Sequence, residues 1–360
     1  MPDIGVGGAW FEGERMPRGV GVIGAGPGVA ALHLPTIARV ADHFKIVHIA
    51  DAGSGRAEHL AARTGAAHSA GSAALLADPR VDVVAICSPP EQHAAQVMAA
   101  VRAGKRAIFC EKPLALTRDE ADAVIRTCRD AGVSLLIGTN HLFDPAWGRA
   151  THHLIAKGVR VQTVRVMAAL PPNGRYHALV TELEQVQGAH PRPDMSDPDV
   201  AAAIVRRLLL GLGVHDLPIV RDLAPALERV VYARPLAPIG YAVGFIADGV
   251  LVQLNAVMLP GGADALWRLT VGTDSDEVDV EFRPAFTHDG SALVRVVTDS
   301  GRVVEHPREE VDGYVAEWRA LAALVDGVEV VEYDALLADA LYAIDLADAA
   351  ADAVRVGMRA

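Results

Sequence analysis

Cysteine is scarce in this chain, with three in 360 residues: Cys87, Cys110 and Cys128. An odd number without metal-type spacing argues against a disulfide framework. Two of the three sit in apolar runs (VVAICSPP and RAIFCEKP), where they read as small buried hydrophobes of a reducing compartment, so a cytoplasmic location is expected. Aromatic residues make up only 5% of the chain while hydrophobic residues make up 51%, so the core has to be aliphatic, as in buried parallel strands packed closely by helices. No basic tract is present and the formal net charge is -12, which argues against nucleic acid or an anionic membrane as partner. Uninterrupted apolar runs of membrane-spanning length are also missing. The closest, Gly240 to Leu259, is broken at Asp248-Gly249 in the manner of a hairpin turn. Residues 1–17 lack the basic start and apolar stretch of a secretory signal and read as a loose extension. His152, His153 and His190 have no cysteine or carboxylate at metal spacing, so no metal is expected. Repeats and low-complexity segments are lacking too.

What is present is alternation. GVGVIGAG reads as a buried strand entering a glycine turn, VAALHLPTIARVAD as a helix, FKIVHIAD as a strand, and AEHLAARTG as a helix closed by glycine. VDVVAICSPP, RAIFCEKP and VSLLIGTN are further strands, with a helix over EQHAAQVMAAVRAGK and another capped by Thr117 with Glu120 three residues on. This spacing predicts a doubly wound parallel sheet over residues 18–143. From 144 to 360 the pattern changes. A helix and a strand lead into a Pro- and charge-rich excursion at 171–199, then a helical stretch over VAAAIVRRLLLGLGVHDLPIVRDLA. Seven strand-like runs follow, punctuated by DG and DSG, and two helices close the chain. That is an α+β domain with an antiparallel sheet, whose last helices can pack back on the first domain.

The sequence VIGAGPG follows the first strand and opens the first helix. Glycines there let the backbone approach a pyrophosphate, and the helix start offers amide donors. The turn runs Gly24, Gly26, Pro27, Gly28, Val29, with valine where the strict fingerprint has its third glycine. Asp51 ends the second strand, where a carboxylate can accept from a ribose 2′-hydroxyl and would repel a 2′-phosphate. NAD is therefore favoured over NADP, with Arg56 just beyond as the residue that can reach a phosphate instead.

Four stretches, GVIGAGPGVAALHLPTI, ICSPPEQHAAQVMAAVRAGK, CEKPLALT and GTNHLFDPAW, occur in an order that resembles the Gfo/Idh/MocA oxidoreductases. The resemblance covers Val20 to about Gly158 closely and the remainder by layout. It implies a Rossmann domain followed by an open-faced, mostly antiparallel sheet that covers the nicotinamide and mediates homodimers or homotetramers. It also implies hydride transfer between NAD(P) and a sugar, cyclitol or glycoside. Ser88, Pro89 and His93 would then line the nicotinamide-side pocket, Glu111 would contact the cofactor, and Lys112 the reacting oxygen. Asn140 and His141 would point at nicotinamide or substrate. An ammonium at a strand end can polarise a carbonyl or hold a developing alkoxide, which agrees with that role for Lys112.

The pattern breaks in one place. Many relatives carry Asp, then Gly and His two and four residues beyond; here Gly213 and His215 match but the Asp position is Gly211, and the acidic residue three beyond the His is replaced by Pro218. His215 remains the expected general base, since imidazole titrates near neutrality. Asp216, or Tyr176 and His177 from the excursion, are the candidates to compensate at the substrate. Two other readings remain open: a reductase of a keto-sugar, imine or other biosynthetic intermediate, and a dinucleotide-binding protein without turnover.

Overall fold

The computed structural model describes residues 16–171, 193–259, 265–284 and 287–359. Strands β1 (Arg18–Ile23), β2 (Phe44–Asp51), β3 (Ala67–Ala70), β4 (Val83–Ile86), β5 (Ala107–Glu111) and β6 (Ser134–Gly138) form a parallel sheet in the order β3-β2-β1-β4-β5-β6. Strand order reverses between β1 and β4, which opens a crevice at the carboxyl ends of the strands. The strands are apolar on both faces because helices cover both; β4 is buried at every residue. Strand β3 is the one that the sequence pattern missed. Its four residues, AHSA, sit half-exposed at the sheet edge and carry no apolar run.

The helix Arg118–Ala131 starts as expected, with the Glu120 N–H donating to Thr117 Oγ1 at 3.3 Å, while Glu120 Oε2 accepts from the Leu116 N–H at 3.1 Å. Gly132, at φ 61°, closes it. Cys110 and Cys128 are buried apolar fillers. Helix Gly313–Val325, near the end of the chain, packs on the parallel sheet, where Trp318 stacks on Phe109 at 4.9 Å and meets Phe44 edge-on at 5.2 Å.

The second sheet has eight strands: β7 (Val161–Leu170), β8 (Leu227–Pro235), β9 (Ile239–Ala247), β10 (Val250–Met258), β11 (Leu266–Thr273), β12 (Glu277–Glu281), β13 (Leu293–Val297) and β14 (Val303–His306). Their order is β14-β13-β12-β11-β7-β10-β9-β8. Neighbours are antiparallel except β7 and β10, which run parallel and are separated in the chain by helices and by β8 and β9. Asp248 and Gly249, both at positive φ, turn β9 into β10, as the DG pair predicts. One face buries Val164, Val166 and Ala168 with Val252, Leu254 and Ala256, while Arg165 and Met167 point out of the other. No described helix is long and apolar enough to cross a membrane.

The stretch expected as one helix is three pieces: Pro198–Gly211, a single 3-10 turn Gly213–His215, and Leu217–Leu223. Asp197 caps the first through the Asp199 and Val200 N–H groups. The turn is close-packed, since a Cβ on Gly213 would stand 3.0 Å from Tyr241 Oη. Breaking the helix here removes His215 from any helical stripe and sets it at a domain boundary.

Candidate active site

The glycine turn lies in the crevice between β1 and β4. Gly24 has φ 122°, and a Cβ there would stand 2.4 Å from the Cys87 carbonyl oxygen, so only glycine fits. Gly26 has no atom within 4 Å of an added Cβ and faces a cavity of about 580 Å³. The same cavity is lined by Gly24, Asp51, Arg56, Ser88 and Pro89. A Cβ-free wall opening on a strand-end crevice fits a dinucleotide, and Asp51, at the end of β2, lines the same cavity. Asp51 is already turned inward: Oδ1 accepts from the Gly53 N–H at 2.8 Å, and Oδ2 accepts from Ser54 Oγ and from the Ala57 N–H at 3.3 Å. Partial burial raises its pKa, but these donors outweigh that and hold it below the usual carboxylate value. Ser88 donates to Gln96 Oε1 at 2.6 Å.

A second cavity of about 270 Å³ continues from the first, sharing Gly26 and Cys87. Gly28, Val29, Glu111, Lys112, Gly211 and His215 line it, roofed by Trp267 of β11 and by Tyr314. Pro27 lines neither cavity. Lys112 Nζ donates to the Gly211 carbonyl oxygen at 2.5 Å. A main-chain oxygen thus meets the ammonium at the position where a side-chain carboxylate is missing. Burial lowers the Lys112 pKa, against the pull of Glu111. His215 Nδ1 is 2.7 Å from Asn140 Oδ1. An amide oxygen only accepts, so Nδ1 carries the proton and Nε2 presents a lone pair. Burial, then the Lys112 charge and His141, hold the His215 pKa well below its ordinary value.

His33 also lines this cavity, and with Glu111 and Glu317 it forms a set of contacts that the sequence did not bring together. Glu111 Oε1 lies 3.2 Å from His33 Nε2, and Oε2 accepts from the Lys112 N–H at 3.1 Å. Burial pushes Glu111 up, but His33 and Lys112 outweigh it and the carboxyl is lowered. Glu317, buried in helix Gly313–Val325, has an Oε2 without a hydrogen-bond partner. Burial, with Glu111 adding to it, raises its pKa well above the usual carboxylate range. His33 belongs to the HLP of the first motif, which is the one signal that could have drawn it out.

Besides Pro27, four expected site residues are placed differently. His93 is buried and lines neither cavity: Nδ1 is 2.7 Å from the Pro113 carbonyl and Nε2 2.8 Å from the Ser88 carbonyl, so it ties two site loops together. Asn140 faces His215 rather than either cavity wall. His141 and Asp216, expected at the substrate, are 3% and 1% exposed and lie behind His215. Asp216 Oδ1 is 2.9 Å from His141 Nδ1, its Oδ2 accepts from Trp267 Nε1 at 2.9 Å, and His141 stacks on Phe282 at 3.7 Å. Their ring and ion contacts fix the wall that carries Trp267. Tyr176 and His177 lie outside the described residues.

Residues 18–139 match the model of an oxidoreductase family with an NAD-binding Rossmann fold. The 1,5-anhydro-D-fructose reductase of Ensifer adhaerens is 43% identical over 104 residues, 28% of this chain and 30% of that protein. Inositol 2-dehydrogenase 2 of Saccharopolyspora erythraea is 28% identical over 288 residues, 75% of this chain and 81% of that one. Two of the strongest matches cover only 36% and 30% of the relatives' lengths. Among solved structures, the 3-ketoreductase KijD10 of Actinomadura kijaniata, bound to NADP and TDP-benzene, superposes with a TM-score of 0.70 at 21% identity, covering 92% of this chain and 96% of that one. That likeness is one of fold.

Proposed function

We propose, from the premise that this chain belongs to the Gfo/Idh/MocA family of oxidoreductases, that it interconverts a secondary alcohol and a ketone on a sugar, cyclitol or glycoside. The observation that carries the reading is one cavity walled by the glycine turn on one side and by Lys112 and His215 on the other. When bound, a nicotinamide dinucleotide supplies the acceptor or donor of hydride. Gly24, Gly26 and Gly28 leave room for its pyrophosphate, and Asp51 accepts from its ribose. Lys112 Nζ keeps one N–H on the Gly211 carbonyl and donates another of its three to the reacting oxygen. His215 Nε2 takes the hydroxyl proton as the C–H bond gives up its electron pair, leaving the ketone; the reverse direction returns the proton. Asn140 keeps the imidazole in the tautomer that this requires. Turnover of a polyol and glycoside panel with oxidised nucleotide, and of the matching ketones with reduced nucleotide, tests the reading; tight dinucleotide binding with no turnover in either direction would reject it.

We place NAD as the preferred nucleotide because Asp51 is ionised beside the ribose position, where it repels a 2′-phosphate. Replacing Asp51 by Ala, with Arg56 left in the same cavity wall, is expected to move the NADP:NAD ratio of kcat/KM toward NADP by about tenfold or more, the size of one unfavourable charge contact of roughly 1.4 kcal/mol. A wild-type preference for NADPH in fluorescence titration, unchanged by the substitution, would sink the assignment.

A further inference from the structure

The wall at Gly211 is open on its outer side. Gly211 is exposed, and a Cβ added there would meet no atom within 4 Å. On that side begins a groove of about 660 Å³, more than twice the volume of the 270 Å³ cavity that holds Lys112 and His215. Leu170, Gly211 and Leu212 line both, so the two spaces meet at the point where the usual carboxylate is missing.

The groove is built from two regular surfaces. Its floor is the end of three adjacent strands, where Leu170 of β7 pairs with Met258 of β10, and Met258 with Ile239 of β9. Its wall is one face of helix Pro198–Gly211, on which Ala203, Arg207 and Gly211 recur every four residues beside Ile204 and Leu208. Apart from Arg206 and Arg207 of the helix, both surfaces are apolar. The charges at the groove do not add up to an anion site. Arg206 is held by Asp348 at 2.6 Å and by the Leu116 carbonyl at 2.8 Å. Arg207 and one carboxylate, Glu91, are the other charged residues of the lining. A diphosphate draws several free cations, and of the two arginines among the described lining residues Arg206 is already paired with Asp348, which leaves Arg207 alone on the same groove as the carboxylate of Glu91.

We propose that this groove is the subsite for a neutral, apolar substituent on the substrate, so that the chain acts on a sugar carrying an aryl or alkyl aglycone rather than on a free or nucleotide-linked sugar. The proposal rests on the hydride-transfer reading above. Gly211 is then a specificity-determining position: its missing side chain is the passage through which the substituent leaves the reacting ring, while its carbonyl keeps Lys112 in place. A carboxylate there would fill the passage with charge and shut the apolar groove off from the ring.

The test uses a set of pyranoses, each as free sugar, methyl glycoside and phenyl glycoside, with UDP-glucose as the anionic comparison. Assays use NAD and NADP on wild type and on Ala203→Trp. Ala203 is exposed on the groove wall, away from Lys112 and His215, so tryptophan there fills the groove without disturbing the core. Phenyl glycosides are expected to show a KM at least about tenfold below that of methyl glycosides, the return for roughly 60 Å² of buried apolar surface. Ala203→Trp should erase that advantage and leave methyl glycoside turnover unchanged. Calorimetry of the same glycosides on protein loaded with reduced nucleotide reads the groove without turnover, and the same tenfold preference is expected. Equal KM for free sugar, methyl and phenyl glycoside, or a phenyl preference that survives Ala203→Trp, overturns the groove proposal while leaving hydride transfer standing. Preference for UDP-glucose overturns the apolar assignment. Phenyl preference in calorimetry without oxidation or reduction of any compound would instead count against the hydride-transfer reading and keep the groove.

Discussion

Lys112→Met is expected to lower kcat/KM by about 10³-fold while NADH still binds within a few-fold of wild type. Loss of one preorganised donor to a developing oxyanion costs on the order of 10²–10³ in kcat. Here the donor is also a full charge held in a narrow cleft, which places the loss at the upper end. The structure gives reasons for separating chemistry from binding. The ammonium lies in the cavity shared by His215 and Trp267, while the larger cavity of Asp51, Arg56 and Ser88 does not include it. Methionine keeps most of the side-chain volume, so the cleft wall survives. The released Gly211 carbonyl sits at the exposed end of a helix, where water replaces the lost bond. Steady-state kinetics on the best substrate, with fluorescence titration of NADH, decides the matter. A loss below tenfold, or a parallel loss of NADH binding, would remove Lys112 from its role at the reacting oxygen. Arginine is not expected to rescue, because its planar fork is longer and differently shaped than a single ammonium.

Much of the frame is legible in the amino-acid sequence. The parallel strands announce themselves because a strand buried on both faces is a continuous apolar run, as in VVAI of β4. The glycine turn is legible because no side chain fits at Gly24, while Lys112 and His215 are legible only through the family resemblance of the stretches that carry them. What is not legible falls into two physical kinds. Some features have no local signal, such as the four half-exposed residues of β3, or the break after Gly211 within a stretch whose apolar pattern stays helical. Others are partnerships between distant elements. Asn140 follows β6 and His215 lies in a turn that packs against the second sheet, so their bond depends on how the two domains meet. The same holds for His141 and Asp216, whose polar side chains suggest a substrate site and instead pair with each other, and Asp216 with Trp267, in the interior. Compensation at Gly211 is invisible for a simpler reason: the partner of Lys112 is a main-chain carbonyl, and every residue type supplies one.

The pair of Asn140 and His215 yields the second large effect. His215→Ala should lower kcat/KM for alcohol oxidation by about 10³-fold, within the 10²–10⁴ range of general base catalysis. Asn140→Ala should cost about tenfold, because the imidazole loses the acceptor that selects the Nδ1–H tautomer and its Nε2 is no longer held toward the cavity. In the His215→Ala background the Asn140 substitution should cost nothing further, since its only contribution to turnover passes through the imidazole; two additive losses would mean that Asn140 acts on its own. The pH profile adds a reading that a merely structural histidine would not give. Oxidation requires the neutral imidazole, so activity falls as pH drops through the His215 pKa. Burial and the Lys112 charge hold that pKa well below 6.5, which sets the acid limb of kcat/KM below pH 6.5. The alkaline limb follows loss of the Lys112 proton, below 10.5 because burial lowers it. Since the Lys112 charge is one cause of the low imidazole pKa, the residual activity of Lys112→Met should have its acid limb at higher pH than wild type. An acid limb that stays put in Lys112→Met, or survives in His215→Ala, would assign the proton to another group.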